Sequence, residues 1–266
     1  MRSIVRKMGY DGSYHGDDVT DRPSIKTNGE QNSQLIWTLG QIAGLWIATD
    51  VGYYLLLPAL GVQTSYNAGS VAITLYYVFW VGIAVIMFWP LYGRWTKFEN
   101  PLTSYIVWSL AFVGCTLFAA YALPALPPLH IREGYNPPEL PLATSWYFLP
   151  KSIEILFQQL LILALVLTLS AQRYSLRKIS LYCAVLFGSV HILLLFGGVP
   201  LAYVIRFGTL AAIFGFAFPY LLLRVPNGFA YSYVTHWSYY AITIIMARLL
   251  GPGTIPEFFK QLVGWS

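Results

Sequence analysis

The chain has 266 residues, of which 57% are apolar, 17% aromatic and only 10% charged, and its mean hydropathy is +0.58. Such a balance excludes an ordinary soluble domain and a disordered chain, and implies a protein that crosses a membrane several times. The net charge of +5 would hint at nucleic acid in a soluble protein, but here the basic residues sit in short connections between apolar runs, so the partner implied is the lipid bilayer and not nucleic acid.

Residues 1–34 mix Gly, Asp, Ser, Asn, Arg and Lys without apolar periodicity, so a flexible cytoplasmic tail is expected there, with no apolar stretch of the kind a cleavable signal needs. Residues 35–250 then carry about seven apolar segments near the ~20 residues that a membrane-crossing helix requires. They run over 35–60, 71–92, 102–123, 148–171, 179–197, 199–223 and 228–250. The expected fold is all-α, a polytopic membrane helix bundle, with 251–266 as a short C-terminal tail. Orientation follows from the basic residues. With the N-terminus inside, the inner connections hold Arg2, Arg6, Lys7, Arg22, Lys26, Arg94, Lys97, Arg173, Arg177, Lys178 and Arg224, and the outer ones hold Arg132, Arg248 and Lys260. That bias places the N-terminus in the cytoplasm and the chain in an inner or plasma membrane as a multi-pass protein.

The connection after the third segment, LPALPPLHIREGYNPPELPLATSWYF, is the longest and is rich in Pro, so an irregular outer cap is expected. Trp146 and Tyr147 at this end, and Trp89, Tyr92 and Trp95 at the other, are placed to form interfacial belts. Cys115 and Cys183 both fall in apolar runs and read as buried, reduced thiols. Gly188, Gly208, Ala211, Ala212 and Gly215 read as small residues that let two helices approach closely.

Polar side chains inside the apolar segments point to a site, because hydrocarbon tolerates them only beside a partner or a cavity. At 1.5 Å of rise per residue, His191 and His236 lie roughly 18–20 Å from the inner edge, and Gln158 and Gln159 about 21–23 Å. Four polar side chains from three helices therefore share one level. Glu154 is one turn from Gln158 on the same helix face. Asp50 and Arg206 fall slightly higher, at about 24–27 Å, and Arg206 is expected to be neutralised by Asp50 or Glu154. Tyr240 follows His236 by one turn.

With these residues in place, the segment from Glu154 to Tyr240 resembles the CAAX-protease and bacteriocin-processing family of intramembrane endopeptidases. That family carries a Glu-Glu-xxx-Arg motif, then Phe-xxx-His, then His-xxx-Asn or Asp, each on its own membrane helix. This chain has Phe187-Gly-Ser-Val-His191 for the second and His236-Trp-Ser-Tyr-Tyr240 for the third. At the first motif, spacing aligns Gln158-Gln159-Leu-Leu-Ile-Leu163. The resemblance implies catalytic positions at His191 and His236, with Glu154 as the nearest carboxylate, and binding positions at Gln158, Gln159 and Tyr240; Asp50 and Arg206 join the candidate binding residues as charges inside apolar segments. A carboxylate takes a proton from water and a glutamine amide does not. The resemblance thus implies an impaired hydrolase or a pseudoenzyme that binds hydrophobic or prenylated peptides, without metal or cofactor. A second version keeps Glu154 as a displaced base.

Two other readings remain open at this point. His191 and His236 are suited to be axial ligands of a haem or chlorophyll-type pigment within a larger membrane complex, non-covalently, since no Cys-x-x-Cys-His motif is present. Asp50, Glu154 and Arg206 as buried charges are compatible with a small-solute transporter, although no internal repeat supports it. Zinc is disfavoured by the absence of an HExxH helix and of a third ligand.

Overall fold

The computed structural model describes residues 28–95, 101–129, 139–197, 199 and 201–249, which form helices joined by short turns and loops, with no strand among the described residues. Helix α1 is Asn28–Val51, α2 is Ser70–Trp95, α3 is Pro101–Leu117, α4 is Phe148–Ala171, α5 is Leu176–Val190, α6 is Leu201–Arg224 and α7 is Gly228–Leu249. They alternate in direction. The start of α3 is pinned to the α6–α7 turn by Ser104 Oγ on Asn227 Oδ1 (2.6 Å). At the opposite end, Arg248 of α7 donates to the carbonyls of Ala143 (2.6 Å) and Leu123 (3.4 Å).

Six helices are long and apolar enough to cross a membrane, over Leu35–Ala59, Ser70–Gly93, Pro101–Ala125, Ser145–Ala171, Leu176–Leu195 and Val204–Arg224. The protein is therefore an integral membrane protein. These limits lie within a few residues of the first six expected segments. The seventh forms α7, as long as the others, but its Ser232, Thr235, His236 and Thr243 keep it out of that set of six. The first helix begins at Asn28, seven residues before the expected edge of the tail, because Glu30, Gln31 and Gln34 are competent helix formers that extend the turn ladder beyond the apolar run. Residues 1–27 and 251–266, the greater parts of the expected tails, lie outside the described residues.

Two spans end in the same way. Each closes with Leu-Pro-Ala, Leu57–Ala59 after α1 and Leu123–Ala125 after α3, and each is preceded by a π-helical turn, Gly52–Leu56 and Phe118–Ala122. Proline removes a donor and its ring crowds the carbonyl four residues back, and the wider turn relieves that conflict.

Helix α4 is the centre of the bundle. Two thirds of its most apolar stretch (67%) is buried, against 28% or less in the other five spans, so it is enclosed by protein where they face lipid. It packs on α1, α2, α5, α6 and α7. Helices α5 and α6 meet backbone to backbone at the expected small residues. A Cβ placed on Gly188 would lie 2.9 Å from Ala212 Cβ, and one on Gly215 would lie 2.6 Å from the Cys183 carbonyl oxygen. Aromatic hydroxyl and indole groups tie α2 to its neighbours, Tyr92 Oη on Leu160 O (2.9 Å) and Trp95 Nε1 on Leu222 O (3.3 Å). Trp89 and Trp146 are exposed, whereas Tyr92 and Tyr147 turn inward and are buried. Both find polar work there, Tyr92 as a hydrogen-bond donor and Tyr147 beside a buried cation. Cys183 is buried, Cys115 is half-buried and both are free thiols.

The chain between α1 and α2 folds back into the bundle and carries Tyr66 with it. The Glu139 carboxylate holds it there, accepting from Ser65 Oγ (2.7 Å), Tyr66 N (3.0 Å) and Asn67 N (2.7 Å). Asn67 Oδ1 in turn accepts from the amide and hydroxyl of Thr144, each at 2.8 Å, and Tyr53 Oη donates to Thr64 O. Hydrogen bonds to a charged acceptor contribute about 1.5–3 kcal/mol each. Glu139→Ala is therefore expected to speed hydrogen exchange at the Tyr66 and Asn67 amides by about tenfold to a hundredfold. Exchange read by mass spectrometry in detergent checks it, and unchanged protection of this loop would refute the latch.

Candidate functional site

Polar residues of α4 form two adjoining clusters. The first is charged. Glu154 Oε2 accepts from Lys151 Nζ at 2.5 Å and from Tyr66 Oη at 2.6 Å, and Oε1 accepts from Gln158 Nε2 at 3.0 Å. Lys151–Glu154 is the ion pair present among the described residues, with side chains 9% and 12% exposed. Burial above all, and then the neighbouring Glu154 charge, holds the Tyr66 phenol well above its usual range, so it remains a donor. Since its proton goes to the carboxylate, the Tyr77 hydroxyl 3.1 Å away donates to Tyr66. Lys151 Nζ lies 4.4 Å from the Tyr66 ring centroid, 4.7 Å from that of Tyr240 and 5.8 Å from that of Tyr147. A lysine is tolerated here because a carboxylate and three electron-rich faces replace its water.

The second cluster is uncharged. Gln159 is wholly buried and its Nε2 lies 3.1 Å from His236 Nδ1. An amide NH2 donates only, so Nδ1 is the acceptor and the His236 proton sits on Nε2. His191 has the opposite tautomer. Its backbone N–H turns to the Gly188 carbonyl as α5 tightens into the 3₁₀ turns His191–Gly197. The Phe187 carbonyl, which an unbroken α-helix would occupy, instead accepts from His191 Nδ1 at 2.8 Å. The His191 lone pair is thereby left on Nε2. The Phe187 ring touches both imidazoles, with centroids 5.2 Å from His191 and 5.9 Å from His236.

Several expectations therefore meet in space. Glu154 joins Gln158 as the one-turn spacing implied, His191 and His236 both lie against Phe187, and Gln159 reaches His236. Tyr240 stacks on His236, with centroids 5.7 Å apart and an interplanar angle of 26°. Arg206 departs from expectation. It pairs with neither Asp50 nor Glu154, and donates to Thr243 Oγ1 (3.1 Å) while lying 5.9 Å from the Tyr239 ring. The reason is Lys151, which already neutralises Glu154 from the same helix. Asp50 is half-buried on α1, within electrostatic reach of Glu154, and makes no hydrogen bond among the described residues.

The chemistry follows from the donors and acceptors. Glu154 receives three hydrogen bonds, one of them from its counter-charge, and so joins α4 to the Tyr66 loop. The carbonyl oxygens of Gln158 and Gln159 are buried without a hydrogen-bond partner among the described residues. Phe187, Phe214, Phe218 and Tyr240 surround His236 at 5.7–6.2 Å between centroids. No group of three or more His, Cys, Asp or Glu side chains suited to a metal ion occurs among the described residues.

Sequence reasoning sees Lys151 only as one possible cationic neighbour of Glu154, beside Arg206, and misses Tyr66. Lys151 lies in the first turn of its span, where lysines normally snorkel to water, although its i, i+3 spacing to Glu154 was a signal. Tyr66 lies in a loop and reaches Glu154, 88 residues away, only through folding. In comparisons with protein-family models, curated proteins and solved structures, no match to this chain is found.

Proposed function

We propose that this integral membrane protein is a peptide-binding pseudoenzyme, with a site arranged like that of the CAAX-protease and bacteriocin-processing endopeptidases, whose histidine and glutamine layer holds hydrophobic or prenylated peptides without hydrolysing them. In this reading seven helices cross an inner or plasma membrane, α7 included, with the N-terminus cytoplasmic. The observation that carries it is the buried Gln159–His236 hydrogen bond. A carboxylate at that place would orient the imidazole and take a proton from water, and the amide does only the first.

What remains is suited to recognising a peptide bond. His236 offers Nε2–H to a carbonyl oxygen, His191 offers its Nε2 lone pair to an N–H, and the Gln158 and Gln159 carbonyls offer further acceptors. A haem or pigment metal would need a lone pair on His236 Nε2, where the Gln159 contact leaves the proton instead, which is why the peptide reading is preferred.

The test uses the purified protein in nanodiscs with fluorescent hydrophobic peptides, with and without a prenyl group. Binding without cleavage is expected, weakened about tenfold, or about 1.4 kcal/mol, by His191→Ala. Cleavage abolished by His191→Ala would make the protein a hydrolase. Cleavage abolished by Glu154→Gln in a folded protein would place the base at Glu154. Absence of binding to any of these peptides would refute the reading.

A further inference from the structure

The cluster around Lys151 is not used by the peptide-binding site, and it has the composition of a ligand site. Three aromatic faces and one carboxylate converge on an ammonium group, which is how proteins recognise alkylammonium ions. The walls come from separate parts of the chain: Tyr66 from the loop after α1, Tyr147 from the turn before α4, and Tyr240 from α7. Each is fixed without help from Lys151. Tyr66 is held by Glu154, by the Glu139 latch and by the Tyr147 ring, whose centroid is 5.3 Å away. Tyr240 is held by its stack on His236 and by Tyr239, 5.2 Å between centroids. Glu154 keeps Tyr66 and Gln158 as donors. The box is thus a property of the surrounding fold, and the lysine side chain is its occupant.

We propose that Tyr66, Tyr147, Tyr240 and Glu154 form a binding site for primary alkylammonium ions, filled in the resting protein by Lys151 as a tethered ligand. Beyond Cβ the Lys151 side chain carries three methylenes and the ammonium, so n-propylammonium is the free ion that matches the space vacated in Lys151→Ala. Tethering keeps the site full, and a free amine is admitted only where Lys151 is withdrawn or removed.

The experiment is chemical rescue. Lys151→Ala in detergent is expected to melt roughly 5–10 °C below the wild-type protein. Added n-propylammonium chloride should restore most of that loss in a saturable manner, with n-propanol ineffective and the wild-type protein unresponsive to either. If Lys151→Ala does not survive purification, n-propylammonium present during solubilisation should recover a monodisperse protein, and n-propanol should not. Lys151→Met, which keeps the apolar stem, should remain below the wild type. Failure of rescue in either format, equal rescue by the alcohol, or a Lys151→Met protein as stable as the wild type would each overturn the proposal.

Discussion

Glu154→Ala should cost about 3–5 kcal/mol of stability, the range for removing one partner of a buried ion pair. The cause is what is left behind. Lys151 would be left among three phenol rings with no carboxylate partner, Tyr66 would lose its acceptor, and Gln158 would lose the oxygen to which its NH2 points. Glu154→Gln should cost less than Glu154→Ala, because an amide oxygen still accepts from Tyr66 and Lys151. The decisive comparison is a double-mutant cycle, with unfolding followed in detergent. Glu154→Leu with Lys151→Leu should be less destabilised than the sum of the single variants, since the pair removes both charges together. A Glu154→Ala protein as stable as the wild type would remove the ion pair from the account of the fold.

Gly215→Val should be comparably damaging, at about 3 kcal/mol, through packing alone. Its Cβ would sit 2.6 Å from the Cys183 carbonyl oxygen and 2.9 Å from Ala184 Cα. Both are backbone atoms of α5, so no side-chain rotation relieves the overlap and the two helices must separate. That movement would carry Phe214 and Phe218 away from His236, so the loss of stability should come with weakened peptide binding. Gly82 in α2 is the control, since a Cβ there meets nothing within 4 Å. Gly82→Ala should be neutral or stabilising by about 0.5–1 kcal/mol. Equal tolerance of the two substitutions would show that α5 and α6 do not need their close approach.

The comparison of Gly215 with Gly82 also shows what kind of information the chain displays openly. Apolar runs mark the spans because hydrocarbon imposes a length and a composition on each segment independently of its neighbours. Small residues spaced along α5 and α6 mark their contact for a similarly local reason. Depth along a helix is equally local, and it suffices to bring forward Gln159 and His236, which share a hydrogen bond, and His191, which shares the Phe187 ring with His236. The Lys151 box is different in kind. It depends on the loop after α1 folding inward and on Glu139 holding that loop, contacts 72–74 residues apart in the chain. Arg206 was misjudged for the same reason. Its expected acidic partner had already been taken by Lys151, a choice that depends on which faces of α4 and α6 meet.

One ring described above has a role that neither cluster shows alone. Tyr240 is a party wall: Lys151 rests against it on behalf of the charged box, and His236 lies along it on behalf of the neutral layer. A wall shared by two rooms cannot move for one without being felt in the other. Any free energy by which a bound peptide shifts Tyr240 must appear, with equal size, in the hold on Lys151, because linkage between two equilibria is reciprocal. Under the proposed peptide binding, this single side chain would couple the two clusters in both directions.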